Sequence, residues 1–327
     1  MRTWQRILFG AGLLIPFPMS PAPAAVSSQA FQGTGMPYDA FDELHATKLH
    51  IGGATQTIAF APGPLRLSHD RILKWLTTSA KAVTTYYGKF PVPSAKILIV
   101  PVEGEGVEGG QAFGYRGPAI RLLVGDFTTD DDLIADWKAV HEMVHLALPD
   151  VSQEHLWLAE GLAVYVEPIA RVQAGDLKAD KIWADMVRDM PKGLPQEGDE
   201  GLDRTHTWGR TYWGGAIFCL LADITYRERS HNKVGLQQAM RGVLAAGGTH
   251  DQDWPIERIL KVADQTAGYP VMEELYAKMR DKPYAPDLAK LWNDLGVTPA
   301  GNTVTFSQTA PLAHIREAIT ALPRGSL

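Results

Sequence analysis

The sequence predicts an α+β chain: a small mixed β-sheet in the first third, one helix carrying an unusual charged motif, and a mainly helical remainder. Three observations predict it. Strand-like apolar segments punctuated by Gly and Pro fill the stretch from about residue 47 to 125, and helical periodicity dominates from residue 129 onward. A chain of 327 residues that is 45% hydrophobic and 21% charged is also long enough and apolar enough to bury a substantial core. Net charge is -6, and no basic stripe with interleaved aromatics occurs, so nothing favours nucleic acid as a partner.

Taken in order, "MRTWQRILFGAGLLIPFPMSPAPAAVSS" carries Arg2 and Arg6, an apolar run from Ile7 to about Met19, and small residues at Ala22, Ala24 and Ala25. This is the order of a secretory signal peptide over residues 1–25. The run is short and broken by Pro16 and Pro18, which argues against a retained anchor. The mature chain is therefore expected to be exported, periplasmic or extracellular, with no stable membrane insertion. Cys219 is the only cysteine, so no disulfide can form within the chain; its setting, "AIFCLLADI", reads as buried helix.

A sheet-rich part is expected over 26–128. After a polar lead to about Ala40, "TKLHIGGATQTIAFA" reads as one or two strands. "SHDRILKWLTTSAKAVTTYYGKF" reads as a helix capped by Ser68, with Ile72, Leu73, Leu76, Ala80, Val83 and Tyr86 at helical spacing. "AKILIVPV", "GGQAFGYRG" and "AIRLLVG" read as three further strands.

Helices are expected over 129–327, forming one catalytic unit with the sheet. Thr129 and the acids after it form a helix start, and Leu133, Ile134, Trp137, Val140, His141, Val144, His145 and Leu148 read as one continuous buried stripe stopped by Pro149. A second helix is expected from Ser152 to just before Pro168, and a third to about Met190. A polar loop follows, then a long helix over "WGRTYWGGAIFCLLADITYRERS", shorter helices, a strand at "NTVTF" and a last helix at "PLAHIREAIT".

The charged motif is "AVHEMVHLALPD". On a helix His141 and His145 share one face a turn apart, which suits two ligands to one metal ion, and Glu142 stands beside them where a general base would act. The alternative is a pair of core histidines, since HExxH arises by chance in roughly one such sequence in a hundred. A catalytic zinc usually takes three protein ligands and leaves one position open. Glu160 in "WLAEGLAVYV" is the candidate third ligand, because a carboxylate among Leu158, Leu162, Ala163 and Val166 is costly to bury unless a charge meets it. With His145 about four residues, roughly 6 Å, before its helix ends and Glu160 roughly 8 Å into the next, antiparallel packing would bring the three level. A third histidine six residues after His145 is excluded: Leu148 and Val151 stand where glycine and histidine would be needed.

"HEMVH", "WLAEGLAVYV" and "RTYWGGAIFCLLAD" together resemble the gluzincin zinc metallopeptidases, especially the aminopeptidase N and glycyl aminopeptidase families and bacterial peptidase-MA-like proteins. The resemblance implies a zincin-like fold, one zinc ion and a peptide or protein substrate. It also implies that Tyr212 stabilises the oxyanion, from "YWGGA", and that a substrate-aligning edge strand lies around Gln111 to Tyr115. The Gly-x-Met-Glu-Asn segment of aminopeptidase N is absent; Glu105 and Glu108 correspond to its glutamate only by position. Ala159 and Gly214 also replace residues common in that family.

Lesser candidates are His155, read as a surface histidine, and His206 and Arg210, read as a loop residue and a solvated helix-start charge or else as readers of a substrate carboxylate. Trp208 and Trp213 read as packing residues. Two other functions stay open at this point: a zinc-binding scaffold without turnover, and a zinc amidase acting on cell-wall peptides. Glu142 and Tyr212 together favour an enzyme, because a structural zinc needs neither.

Overall fold

The structure is a computed structural model and describes residues 31–322; the signal-peptide expectation for 1–25 lies outside the described residues. A short helix, α1 (Ala40–Glu43), leads into β1 (Ala46–Ile51) and β2 (Ala54–Phe60), an antiparallel hairpin. Its two-residue turn uses Gly52 and Gly53 at φ 59° and 80°, the left-handed region such a turn requires of both central residues. The helix α2 (His69–Tyr87) carries the chain to β3 (Ser94–Val102), which pairs parallel with β2. Then β4 (Val107–Phe113) runs out along the edge and β5 (Ala119–Gly125) returns between β4 and β3, giving the order β1-β2-β3-β5-β4.

The two faces of β3 alternate. Ile97 and Ile99 pack toward the helices, whereas Leu98 and Val100 pack under the segment leading into the sheet. That segment corrects the expectation of a polar lead: Phe31, Met36 and Tyr38 are buried against the sheet. The Arg121 guanidinium ties them down by donating to the carbonyls of Phe31, Gly33 and Gly35.

The expected continuous helix from residue 129 is two helices, α3 (Asp130–Ala135) and α4 (Lys138–His145). Thr129 does cap the first, through a capping box with Asp132. Asp136 interrupts: its backbone is extended at ψ 141°, and its carboxylate accepts from the N–H groups of Lys138 and Ala139 at 3.1 and 3.0 Å, capping the new helix. Ile134 and Trp137 are therefore exposed, at 68% and 45%, instead of joining one stripe. His145 is the last residue of α4; the expected extra turn to Pro149 is a tight turn over Leu146 to Leu148.

After a 3-10 turn (Gln153–His155), α5 (Leu156–Gln173) runs straight through Pro168, where the sequence reading ended it. A proline inside a helix costs about 3 kcal/mol. Burial of Val166, Ile169 and Ala170 around it offsets that cost. Next come α6 (Ala179–Asp189), a π-helical turn (Gly209–Gly214), α7 (Gly215–Arg229), α8 (Leu236–Ala245), α9 (Ile256–Ala267), α10 (Val271–Met279) and α11 (Leu288–Leu295). A small hairpin of β6 (Val297–Ala300) and β7 (Thr303–Phe306) and the helix α12 (Ala313–Thr320) complete the described chain. One apolar core runs without a break from the α2 side of the sheet to α12, and Cys219 is buried in it as expected. No helix among the described residues is long and apolar enough to cross a membrane.

Candidate active site

The helices α4 and α5 cross where the charged motif lies. His141, Glu142 and His145 on α4 are all buried, and Glu160 reaches them from the second turn of α5. One Glu160 carboxylate oxygen stands 3.1 Å from His141 Nε2 and 3.6 Å from His145 Nε2. The donor atoms of the three side chains all lie within 4.8 Å of one another. Two donors held about 2.0–2.1 Å from one zinc in a tetrahedral set stand about 3.3 Å apart, so the set fits that ion. The three expected ligand side chains come together although His145 is the last residue of its helix, not one a turn from its end.

Electrostatics follow from burial. Burial pushes the Glu160 carboxyl up, but hydrogen bonds from His141 and His145 outweigh it and hold the group well below the usual carboxylate range. Burial likewise raises Glu142, opposed by the charges of His145 and His141 and by an N–H from Ala112 of β4. Glu142 lies flat against that strand because residue 110 is glycine: a Cβ there would stand 2.6 Å from Glu142 Cγ.

Tyr212 lies in the π-helical turn, a backbone form met often at functional sites. It lines the same cleft, of about 470 Å³, as Glu142, Glu160 and the two histidines. Burial pushes its phenol up to about 12, helped by the nearby carboxylates of Glu160 and Glu142, so the hydroxyl keeps its proton and can donate. The glycines of "EGL" and "YWGGA" explain how Tyr212 arrives there. A Cβ on Gly161 would fall 2.2 Å from the carbonyl carbon of Gly215, and one on Gly215 would fall 1.9 Å from the Trp157 carbonyl oxygen. Only glycine lets α5 and α7 approach this closely.

The expected edge strand is present: β4 is the outer strand of the sheet, and residues 109–115 form one wall of the cleft. Glu105 and Glu108 are exposed and do not line it. Trp208 corrects the packing expectation: it is 60% exposed and stacks on Tyr212 at 5.8 Å between ring centroids. Trp213 is partly buried against the core. Arg210 is neither solvated nor free to read a substrate; it is buried in an ion pair with Asp199 at 2.7 Å and donates to the Gly193 carbonyl. His206 is exposed and does not line the cleft. His155 is not a surface histidine: Ser152, Tyr276 and Asp203 surround its ring. Glu154, His155 and Asp203 form a second cluster of ligand type, but Trp157 and Tyr276 already occupy the Asp203 oxygens.

Sequence reasoning missed His250, which lines the cleft from the loop between α8 and α9, its ring centroid 6.4 Å from that of His145. Burial pushes it below the ordinary histidine value. A lone histidine in "GGTHDQDW" carries no periodicity or motif that could have flagged it.

No family model and no curated protein matches the chain. Among solved structures, an aminopeptidase N family protein from Idiomarina loihiensis is similar to it, with a TM-score of 0.55 and 16% identity over 82% of this chain and 53% of that one. The chain shares the fold of that protein. An M1 zinc metallopeptidase from Deinococcus radiodurans aligns more loosely, with a TM-score of 0.47 and 15% identity over 74% of this chain and 52% of that one. The chain thus spans about half the length of these structures.

Proposed function

We propose that the chain is an exported zinc metallopeptidase of gluzincin type. The observation that carries this reading is the convergence, in one cleft beneath an open strand edge, of His141, His145 and Glu160 with Glu142 and the protonated phenol of Tyr212. A zinc ion held by His141, His145 and Glu160 would polarise a peptide carbonyl and acidify water. The residues of the chain supply the rest. A peptide laid along β4 pairs with its outward main-chain groups, which places a scissile bond over Glu142. Glu142 takes the proton of the attacking water and passes it to the leaving amine; its raised affinity for a proton suits both transfers. Tyr212 donates to the oxygen that gains charge as the carbonyl becomes tetrahedral. Export rests on the N-terminal leader read in the sequence. The scaffold alternative leaves Glu142 and Tyr212 without work, and nothing in the cleft marks a cell-wall amide over an ordinary peptide.

Cleavage profiling tests this. A mixed peptide library with free and blocked N-termini is incubated with zinc-loaded protein and with its Glu142→Gln variant at matched zinc content. The native protein is expected to cleave, and the variant to lose about 100-fold to 10,000-fold of the rate, the range for a positioned acid–base group. A fully zinc-loaded native protein that cleaves nothing would favour the scaffold.

A further inference from the structure

The loop between α8 and α9 belongs to the helical part of the molecule, yet it is built into the cleft wall. Main-chain atoms fasten it: Asp150 N–H donates to the Gln252 carbonyl at 2.9 Å, and His250 N–H to the Leu146 carbonyl at 3.4 Å, just beyond the end of α4. Asp150 and Asp253 form a parallel bridge. On its other side the loop lies directly on the end of β4, where a Cβ at Gly114 would fall 2.0 Å from the His250 carbonyl oxygen. One ring nitrogen faces the Ala112 carbonyl of β4, within hydrogen-bonding reach, and leaves the other nitrogen free among the described residues. The imidazole turns into the cleft, its centroid 6.4 Å from that of His145, beside the main chain of Ala112.

That position lies in the path of a bound peptide. A strand added to β4 runs about 4.8 Å from it, so a ring beside the Ala112 backbone and one imidazole away from His145 meets the added strand next to the metal ligands. A neutral imidazole has one donor and one acceptor; with its N–H toward the Ala112 carbonyl, the other nitrogen can accept from a peptide N–H. We propose that His250 is a substrate-binding residue whose ring hydrogen-bonds the peptide backbone beside the scissile bond. The proposal rests on the peptidase reading of the cleft and adds a residue to it.

The test compares two hydroxamates on the zinc-loaded protein by titration calorimetry: acetohydroxamate, which can reach only the metal, and N-acetyl-trialanine hydroxamate, which also carries a peptide. His250→Ala is expected to weaken the peptidyl compound about tenfold and leave acetohydroxamate, zinc content and Tm unchanged. His250→Gln, which keeps a donor and an acceptor, is expected to recover part of the loss. In turnover the loss falls on KM, with kcat within about twofold. Equal affinity of the peptidyl compound for native and His250→Ala protein would overturn the assignment, and so would a parallel loss of both compounds with zinc or Tm, which marks a structural histidine. Failure of native protein to bind either compound would overturn the reading of the cleft itself, and the assignment with it.

Discussion

Tyr212 enters the site through a distorted backbone, in a π-helical turn that places its phenol against the carboxylates of Glu160 and Glu142. A hydroxyl that acts only on the tetrahedral species matters to turnover and little to binding. Tyr212→Phe is expected to lower kcat about 100-fold with KM, zinc content and Tm nearly unchanged. If the phenol merely packs, the same change costs about 1 kcal/mol of stability and spares kcat; steady-state kinetics beside a thermal melt separates the two. The residues differ in how visible they are in the sequence. His141, Glu142 and His145 are close in sequence on one helix, so their spacing alone brings them together. Glu160 was legible because an acid in an apolar helix needs a partner. Tyr212 was reachable only by resemblance, 52 positions beyond Glu160. His250 was not reachable at all, because a loop pinned by backbone bonds to Leu146 and Asp150 is a tertiary fact.

The contact between α5 and α7 decides where Tyr212 stands. Replacing a helical glycine by alanine ordinarily stabilises by up to about 1 kcal/mol. At Gly215 the new methyl would fall 1.9 Å from a backbone oxygen of α5, which must move. Overpacking of that kind costs about 1–3 kcal/mol, so the clash is expected to win. Gly215→Ala should lower the urea midpoint and reduce kcat together, through displacement of the phenol. A raised midpoint with unchanged kcat would contradict the close approach. The elements were legible wherever one pattern ruled: the strand segments and α2 lie where apolar alternation and spacing put them. They were misread where side chains compete with periodicity. Asp136 caps a new helix in the middle of an unbroken apolar spacing, and Pro168 sits inside a helix that tertiary burial holds together.

At the scale of the whole molecule, the face of α4 away from the cleft borders a charged hollow at which Asp136, Glu167 and Arg171 are buried. A cavity of about 180 Å³ is lined there by Arg71, Asp130, Asp136, Arg171 and Asp176, and Glu167 pairs with Arg171 at 3.1 Å beside it. Burial pushes Glu167 from 4.5 up to about 7, against the pull of Arg171. A carboxyl with a raised folded value contributes stability that is fully present below about 4.5 and lost as pH rises through about 7. The contribution is up to about 3 kcal/mol. Glu167→Gln is expected to flatten the fall in unfolding free energy between pH 5 and 8, followed by denaturant titration; an unchanged slope would contradict this. The sheet order was not legible, because nothing local in "AKILIVPV", "GGQAFGYRG" or "AIRLLVG" says that the third runs between the other two and leaves β4 at the edge. Yet that order is what leaves the outer edge of β4 without a strand partner among the described residues and sets β4 over α4, as the proposed peptide binding requires. The three side chains of α4 and α5 are expected to hold one metal ion, and elemental analysis of purified protein tests this most directly. The native chain should carry one zinc, and His141→Ala and Glu160→Ala should each lose most of it while still folding; full zinc in both variants would contradict the site.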